Sequence, residues 1–229
     1  MILEVALSVG TGSLTEMRRF YVDRLGCTPI ESESERLAVQ LGETALRFAA
    51  VDGEPFYHFA FLVPGDRHDA AMFWARSHVD LLPADDGNRV FAFDFWDARA
   101  CYFHDPAGNI VELVAHHGIS HNGRSGPFSA REIVGISEIG IVGEPWDLAE
   151  RLATNVGLEL WDGVVGRPDR LAFVGQKART LILASEGRPW LPTGRPAESH
   201  PVEVTVAGEP AGEVTLQSGG WVRRLGYLE

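Results

Sequence analysis

Three segments of the chain open in the same way, and this repetition limits the folds it can adopt more than any other feature. Glu4-Val5-Ala6-Leu7-Ser8-Val9, His58-Phe59-Ala60-Phe61-Leu62-Val63 and Glu138-Ile139-Gly140-Ile141-Val142 each place one polar residue at the head of an apolar strand. A helical pattern follows each strand. In the first, Ser13-Leu14-Thr15-Glu16 reads as a capping box, Leu14, Met17, Tyr21 and Leu25 recur at helical spacing, and Gly26 is a stop. In the second, Asp66 is placed to cap a helix carrying Ala70, Phe73 and Trp74. In the third, Pro145 opens a helix through Trp146, Ala149, Leu152 and Ala153 that stops at Gly157, with Trp74 and Trp146 on core faces.

About three short strands follow each helix, so the unit is βαβββ, used three times. The fold class is α+β. A single unit covers one face of its sheet with its helix and leaves the other bare, so units are expected to pair into cup-shaped mixed sheets. Units one and two, joined only by Asp52 to Tyr57, form the expected pair, a domain over residues 1–117. Residues 118–133, rich in Gly, Ser and His, read as a linker; His116, His117 and His121 beside Gly118 read as a solvated hinge. Residues 134–229 hold the third unit and a tail with strands near Val202 to Val206, Glu213 to Gln217 and Trp221 to Leu225 but no helical pattern. That tail is either a degenerate fourth unit or an appended hairpin.

Charge and length exclude several functions. A formal net charge of −12, from 32 acidic residues against 20 Lys and Arg, disfavours a nucleic acid partner. The opening MILEVALSVG has no positive region or cleavage site, and no apolar stretch reaches the roughly 18 residues that a membrane span needs, so a cytoplasmic protein without a membrane partner is expected. Cys27 and Cys101 read as reduced core residues.

The run Tyr102 to His117, YFHDPAGNIVELVAHH, reads as a hairpin in which Pro106 fixes φ and Gly108 or Asn109 takes φ > 0. Glu112 falls in the middle of its returning strand among Ile110, Val111, Leu113 and Val114. A carboxylate buried in such a run must be paired, protonated or metal-bound, unless it faces water. The alternation of Ile110, Glu112 and Val114 against Val111, Leu113 and Ala115 does not decide between the faces.

The paired units, the Phe20, Tyr21, Leu25, Gly26 ending of the first helix, and the F-x-D-P-x-G-N-x-x-E-L run from Phe103 to Leu113 resemble the vicinal oxygen chelate superfamily. That superfamily includes glyoxalase I, bleomycin and fosfomycin resistance proteins and extradiol dioxygenases. The chain is also similar to a group of bacterial glyoxalase-like proteins in Tyr57 to Phe61, Trp96, Gly135 to Gly140 and Gly187 to Thr193.

The resemblance implies a cup whose metal ligands come from the first and last strands of each unit. Those positions are His58 and Glu112 in unit two, and Glu4 and Arg47 in unit one when the Gly42-Glu43 and Gly108-Asn109 turns are aligned. His58, Glu112 and Glu4 would then hold a divalent Fe, Mn, Ni or Zn ion, with Glu112 or Glu4 as catalytic base. Arg47 departs from that pattern, since a cation cannot ligate a metal and would pair with Glu4 or Glu112 instead. Two readings stay open: a metal-dependent lyase, isomerase or ring-cleaving dioxygenase, or a metal-free small-molecule binder of the bleomycin-resistance type in which Arg47 replaces the metal's charge. Either would act on a small-molecule ligand, as a monomer or homodimer.

Trp96, Tyr102 and His104 are expected to line the cup, although His104 also reads as a turn histidine without a role. Glu138 repeats the His58 position, but the matching last-strand residue near Ile182 is apolar, so the third unit is expected to carry structure or a lid and no site. Trp190 reads as a packed anchor that could close the cup from above.

Overall fold

In the computed structural model, residues 1–119 and 121–226 are described. Unit one comprises β1 (Ile2–Gly10), α1 (Leu14–Arg18, continued by a wider turn over Arg19–Arg24), β2 (Thr28–Ser32), β3 (Arg36–Leu41) and β4 (Thr44–Val51). Unit two has β5 (His58–Val63), α2 (His68–His78), β6 (Phe91–Phe93), β7 (Ala98–His104) and β8 (Ile110–His116). Unit three has β9 (Gly135–Val142), α3 (Pro145–Val156), β10 (Leu160–Gly163), β11 (Ala172–Gln176) and β12 (Arg179–Ala184). The tail supplies β13 (Val202–Ala207), β14 (Gly212–Thr215) and β15 (Gly220–Leu225). The α+β class and the βαβββ repeat are as the pattern implies.

The pairing of the units differs from the expected one. Unit one shares a sheet with the tail, in the order β14-β15-β13-β1-β4-β3-β2 (sheet A). Unit two shares the other with unit three, in the order β10-β11-β12-β9-β5-β8-β7-β6 (sheet B). Repeat arithmetic counts units, but it does not say which open edges meet. Each unit leaves the outer edge of its first strand unpaired; β9 closes that edge of β5, and β13 closes that of β1, both antiparallel. Within the tail, β13 lies parallel to β15 and β15 antiparallel to β14, which is a unit without its helix and one of its strands.

The main core lies between the two sheets. Val5, Leu7 and Val9 of β1 and Phe59, Phe61 and Val63 of β5 point into it, with Met17 and Tyr21 of α1 and Leu148 and Leu152 of α3. A second core covers the opposite face of sheet B, where Ala60, Tyr102, Ile110, Val114, Ile182 and Trp190 are buried. Sheet B is thus covered on both faces, and this is why the alternation along β8 carries no sign of an exposed side. Every residue of Ile110 to His116 is buried.

Several local expectations need correction. Ser13 caps nothing with its side chain, and the carboxylate of Asp66 accepts from the backbone N–H groups of Asn122 (3.2 Å) and Gly123 (2.9 Å) instead of capping α2. Phe73 (79 % exposed) and Trp146 (63 %) point away from the core. The 118–133 segment is held rather than loose over its described residues: Glu132 is buried against Arg67 at 2.9 Å, and Ser129 and Glu132 form a capping box.

Candidate metal centre

The Asp-Pro-Ala-Gly-Asn turn sets the start of β8. The buried Asp105 carboxylate accepts from Tyr21 Oη (2.8 Å), the Asn109 amide side chain (2.8 Å) and the backbone N–H groups of Ala107 and Asn109 (both 3.0 Å). Gly108 has φ +79, so it is the residue that takes the left-handed conformation. The Asn109 side chain in turn accepts from the Tyr57 N–H at 2.8 Å, which locks the head of β5 to the head of β8. This aspartate, Asp105, is therefore structural.

That lock sets the register across three strands. Ala60 of β5 pairs with Glu112 of β8 on one side and with Glu138 of β9 on the other. His58 lies two residues before Ala60 on the same face, so one imidazole and two carboxylates converge. Their ligating atoms lie within 4.8 Å of one another and all three residues are buried. His58 Nε2 is 3.6 Å from Glu112 Oε2. His58 Nδ1 donates to the Ile110 carbonyl at 3.0 Å, which turns the Nε2 lone pair toward the carboxylates.

Burial governs the electrostatics of the group. It pushes the His58 pKa down to about 4, against the opposing pull of the Ile110 carbonyl and reinforced by the charge of Arg188. Burial raises Glu112 well above the carboxylate range, with Glu138 adding to the rise and the Tyr102 hydroxyl, directly across the strand pair, opposing it. Burial also brings Glu138 to about 7. Among the described residues neither carboxylate has an Arg or Lys partner within ion-pair distance. Two neighbouring buried carboxylates beside a neutral imidazole present lone pairs to one point, and a divalent cation would satisfy and neutralise all three. The residues present fit a metal.

A cavity of about 680 Å³ opens over this group. Phe93, Trp96, Tyr102, Phe173 and Trp190 give it an aromatic wall. Trp190 rests 5.1 Å from the His58 ring, and its ring packs against the bare face of Gly140, where a Cβ would lie only 3.0 Å away. The strap that carries it, residues 187–197, is pinned by Ala197 N–H to Arg188 O (2.8 Å) and by the Arg195 guanidinium, 3.3 Å above the Phe56 ring.

Of the residues singled out from sequence, His58, Glu112, Trp96 and Tyr102 come together here. Glu4 and Arg47 do not. They lie on sheet A, where Arg47 donates to Glu4 and to Glu31, each at 2.7 Å and each partly open to solvent. The cause is the sheet pairing: unit two meets unit three, so the third donor is Glu138 and Arg47 stays outside the cup. His104 is exposed at the end of β7, with a ring nitrogen 3.2 Å from the Asn109 carbonyl, and stands outside the cavity lining. Glu138 had a signal in sequence, its repeat of the His58 position. The apolar Ile182 hides that signal only if every unit must supply two ligands.

No protein-family model matches the sequence, and no curated protein matches it. Solved structures do match. A putative dioxygenase from Bacillus subtilis aligns over 97 % of this chain and 84 % of its own, with a TM-score of 0.55 at 15 % identity. Glyoxalase I from Zea mays aligns over 97 % of this chain and 91 % of its own, with a TM-score of 0.53 at 12 % identity. The chain has the vicinal oxygen chelate fold. In vicinal oxygen chelate terms, sheet B is a complete cup with a donor group at its base, and sheet A is an open one.

Proposed function

We propose that the sheet B cavity is the active site of a metal-dependent enzyme of the glyoxalase type, acting as a lyase or isomerase on a small molecule. The observation that carries this reading is the buried His58, Glu112 and Glu138 group, with its tautomer set and, among the described residues, no Arg or Lys within ion-pair distance of its carboxylates. These three residues would hold a divalent Mn, Ni, Zn or Fe ion. When bound, the ion would polarise neighbouring oxygens of the ligand and acidify the C–H beside them.

The side chains divide the remaining work. His58, oriented by the Ile110 carbonyl, and Glu112, beside the Tyr102 hydroxyl, act as fixed anchors. Glu138 has no hydrogen-bond partner of its own among the described residues and faces the cavity, which makes it the carboxylate placed to take a proton from carbon and return it. Trp96 and Trp190 exclude water above it. One histidine with two carboxylates departs from the two-His, one-carboxylate set of non-haem iron oxygenases, which weighs against ring cleavage. Arg47 lies on the other sheet, so it is not the group that would replace a metal's charge in this cavity.

The test is metal analysis of protein purified without chelator or affinity metal. About one equivalent of a divalent metal per chain is expected, lost on His58→Ala in protein whose circular dichroism is unchanged. Wild-type protein that neither carries metal nor takes up Mn²⁺ or Zn²⁺ would overturn the reading in favour of a binder.

A further inference from the structure

The cavity also holds a cation that the metal centre does not use. Three arginines line its mouth, Arg167, Arg170 and Arg188. Two are answered on the spot: Arg167 makes a two-pronged pair with Asp169 (3.0 and 2.9 Å), and Arg170 lies 3.7 Å from the same carboxylate. Arg188 is different. Its one side-chain hydrogen bond goes to the adjoining Pro189 carbonyl at 2.8 Å, and its Nε is buried with no partner among the described residues. Asp162, the other acid on the wall, is engaged by the Trp96 indole N–H.

The strap holds the Arg188 backbone at both ends, which fixes where its side chain starts on the cavity wall: Arg188 N donates to Ser185 O, and Arg188 O accepts from Ala197 N. Two residues further on, the same strap places Trp190 over His58. Arg188 and the His58, Glu112 and Glu138 group line the same cavity. A half-buried guanidinium with unused donors, fixed beside an aromatic wall, is arranged to meet an anion, and a planar carboxylate matches its fork.

Resting on the reading of this cavity as the ligand site, we propose that Arg188 docks the carboxylate of a small aromatic acid whose ring fills the aromatic part of the cavity. The body of the ligand lies against Trp96, Phe173 and Trp190, and its opposite end reaches the His58, Glu112 and Glu138 group. A singly charged carboxylate suits the site better than a phosphate dianion, because Glu112 and Glu138 line the same cavity and Asp169 stands at its mouth.

The test uses two isosteric probes, 2-naphthoate and its neutral amide, with phenyl phosphate as a third, titrated by calorimetry into the full-length protein. Wild-type protein is expected to prefer the carboxylate over the amide by about tenfold or more, the value of a charge-assisted hydrogen bond. Arg188→Gln is expected to abolish that preference without changing amide affinity, Arg188→Lys to keep part of it, and Arg170→Gln to leave it intact. Each titration is run with EDTA and again with Mn²⁺. Failure to bind metal leaves the Arg188 effect standing, so loss of the enzyme reading and loss of this one are told apart. Equal binding of carboxylate and amide, a preference untouched by Arg188→Gln, a preference that depends on Mn²⁺ alone, stronger binding of the phosphate, or no binding of any probe would each overturn it.

Discussion

Sheets A and B carry the same arrangement at the same register, with opposite outcomes. On sheet A, Ala6 is flanked by Arg47 on one side and Glu203 on the other, with Glu4 two residues before it; on sheet B, Ala60 is flanked by Glu112 and Glu138, with His58 two residues before it. The A face is open: Glu203 is exposed, and Arg47 pairs with Glu4 and Glu31, all three partly open to solvent. The B face is roofed by the Trp190 strap, and among the described residues its carboxylates have only each other, an imidazole and a tyrosine hydroxyl close by. Ionic groups in water settle among themselves at little cost, whereas buried ones require a partner. A donor group is therefore left in need of a cation only where the fold closes over it.

The largest effect should separate the register-matched carboxylates. Glu138→Ala is expected to weaken metal binding by more than about 100-fold, beyond the loss usual for an outer partner of a ligand, while Glu203→Ala leaves it unchanged. Metal titration of both variants decides it. Equal effects would erase the distinction between the sheets.

Next comes the stability of the metal-free protein. Glu112 and Glu138 are both raised on folding, so what they contribute is whole at low pH and is lost as pH rises, for Glu138 through about 7. His58 is lowered from 6.5 to about 4, so its contribution is whole above 6.5 and is lost as pH falls toward 4. The two trends offset each other between these limits, and above pH 6.5 only the carboxylate trend remains. Thermal melts of chelated protein should therefore show stability falling as pH rises past 6.5, by about 1 kcal/mol from Glu138 alone, with Glu138→Gln reducing the fall and added Mn²⁺ removing it. A profile in Glu138→Gln identical to wild type would count against a strained carboxylate pair.

Gly140→Ala should come third. Its new methyl meets the Trp190 ring at 3.0 Å, so overpacking is expected to cost about 1 to 2 kcal/mol and weaken binding of aromatic probes, with metal content retained. Loss of metal instead would show that the roof and the donor group are one unit. The smallest change belongs to sheet A: Arg47→Met should shift stability by no more than about 1 kcal/mol and leave metal content unchanged, because its ion pairs are solvent-screened. Metal uptake appearing at Glu4 in that variant would show that sheet A retains a usable site.

Much was legible from residue pattern alone. The three strand-helix openings, the Pro145 start and Gly157 stop of α3, and the hairpin at Pro106 to Asn109 all rest on local chemistry, and the structure shows each of them. His58 and Glu112 belong to one unit and lie on neighbouring strands, so counting along the repeat brings them together. Glu138 and Arg188 escaped that count, because both come from unit three and the strap behind it, more than 20 residues beyond β8.

The sequence by itself determined the unit: where strands and helices begin, which residues repeat at each strand head, and that a carboxylate would lie within an apolar strand. Those properties follow from spacing, turn chemistry and side-chain volume within about 60 residues. Only the tertiary structure decided which units share a sheet, and with that whether Glu112 faces Arg47 or Glu138. The reason is physical: each first strand offers the same unpaired edge, with nearly the same backbone hydrogen bonds available to any partner. The choice is then made by the whole core packed between the two sheets, which no local stretch of sequence contains.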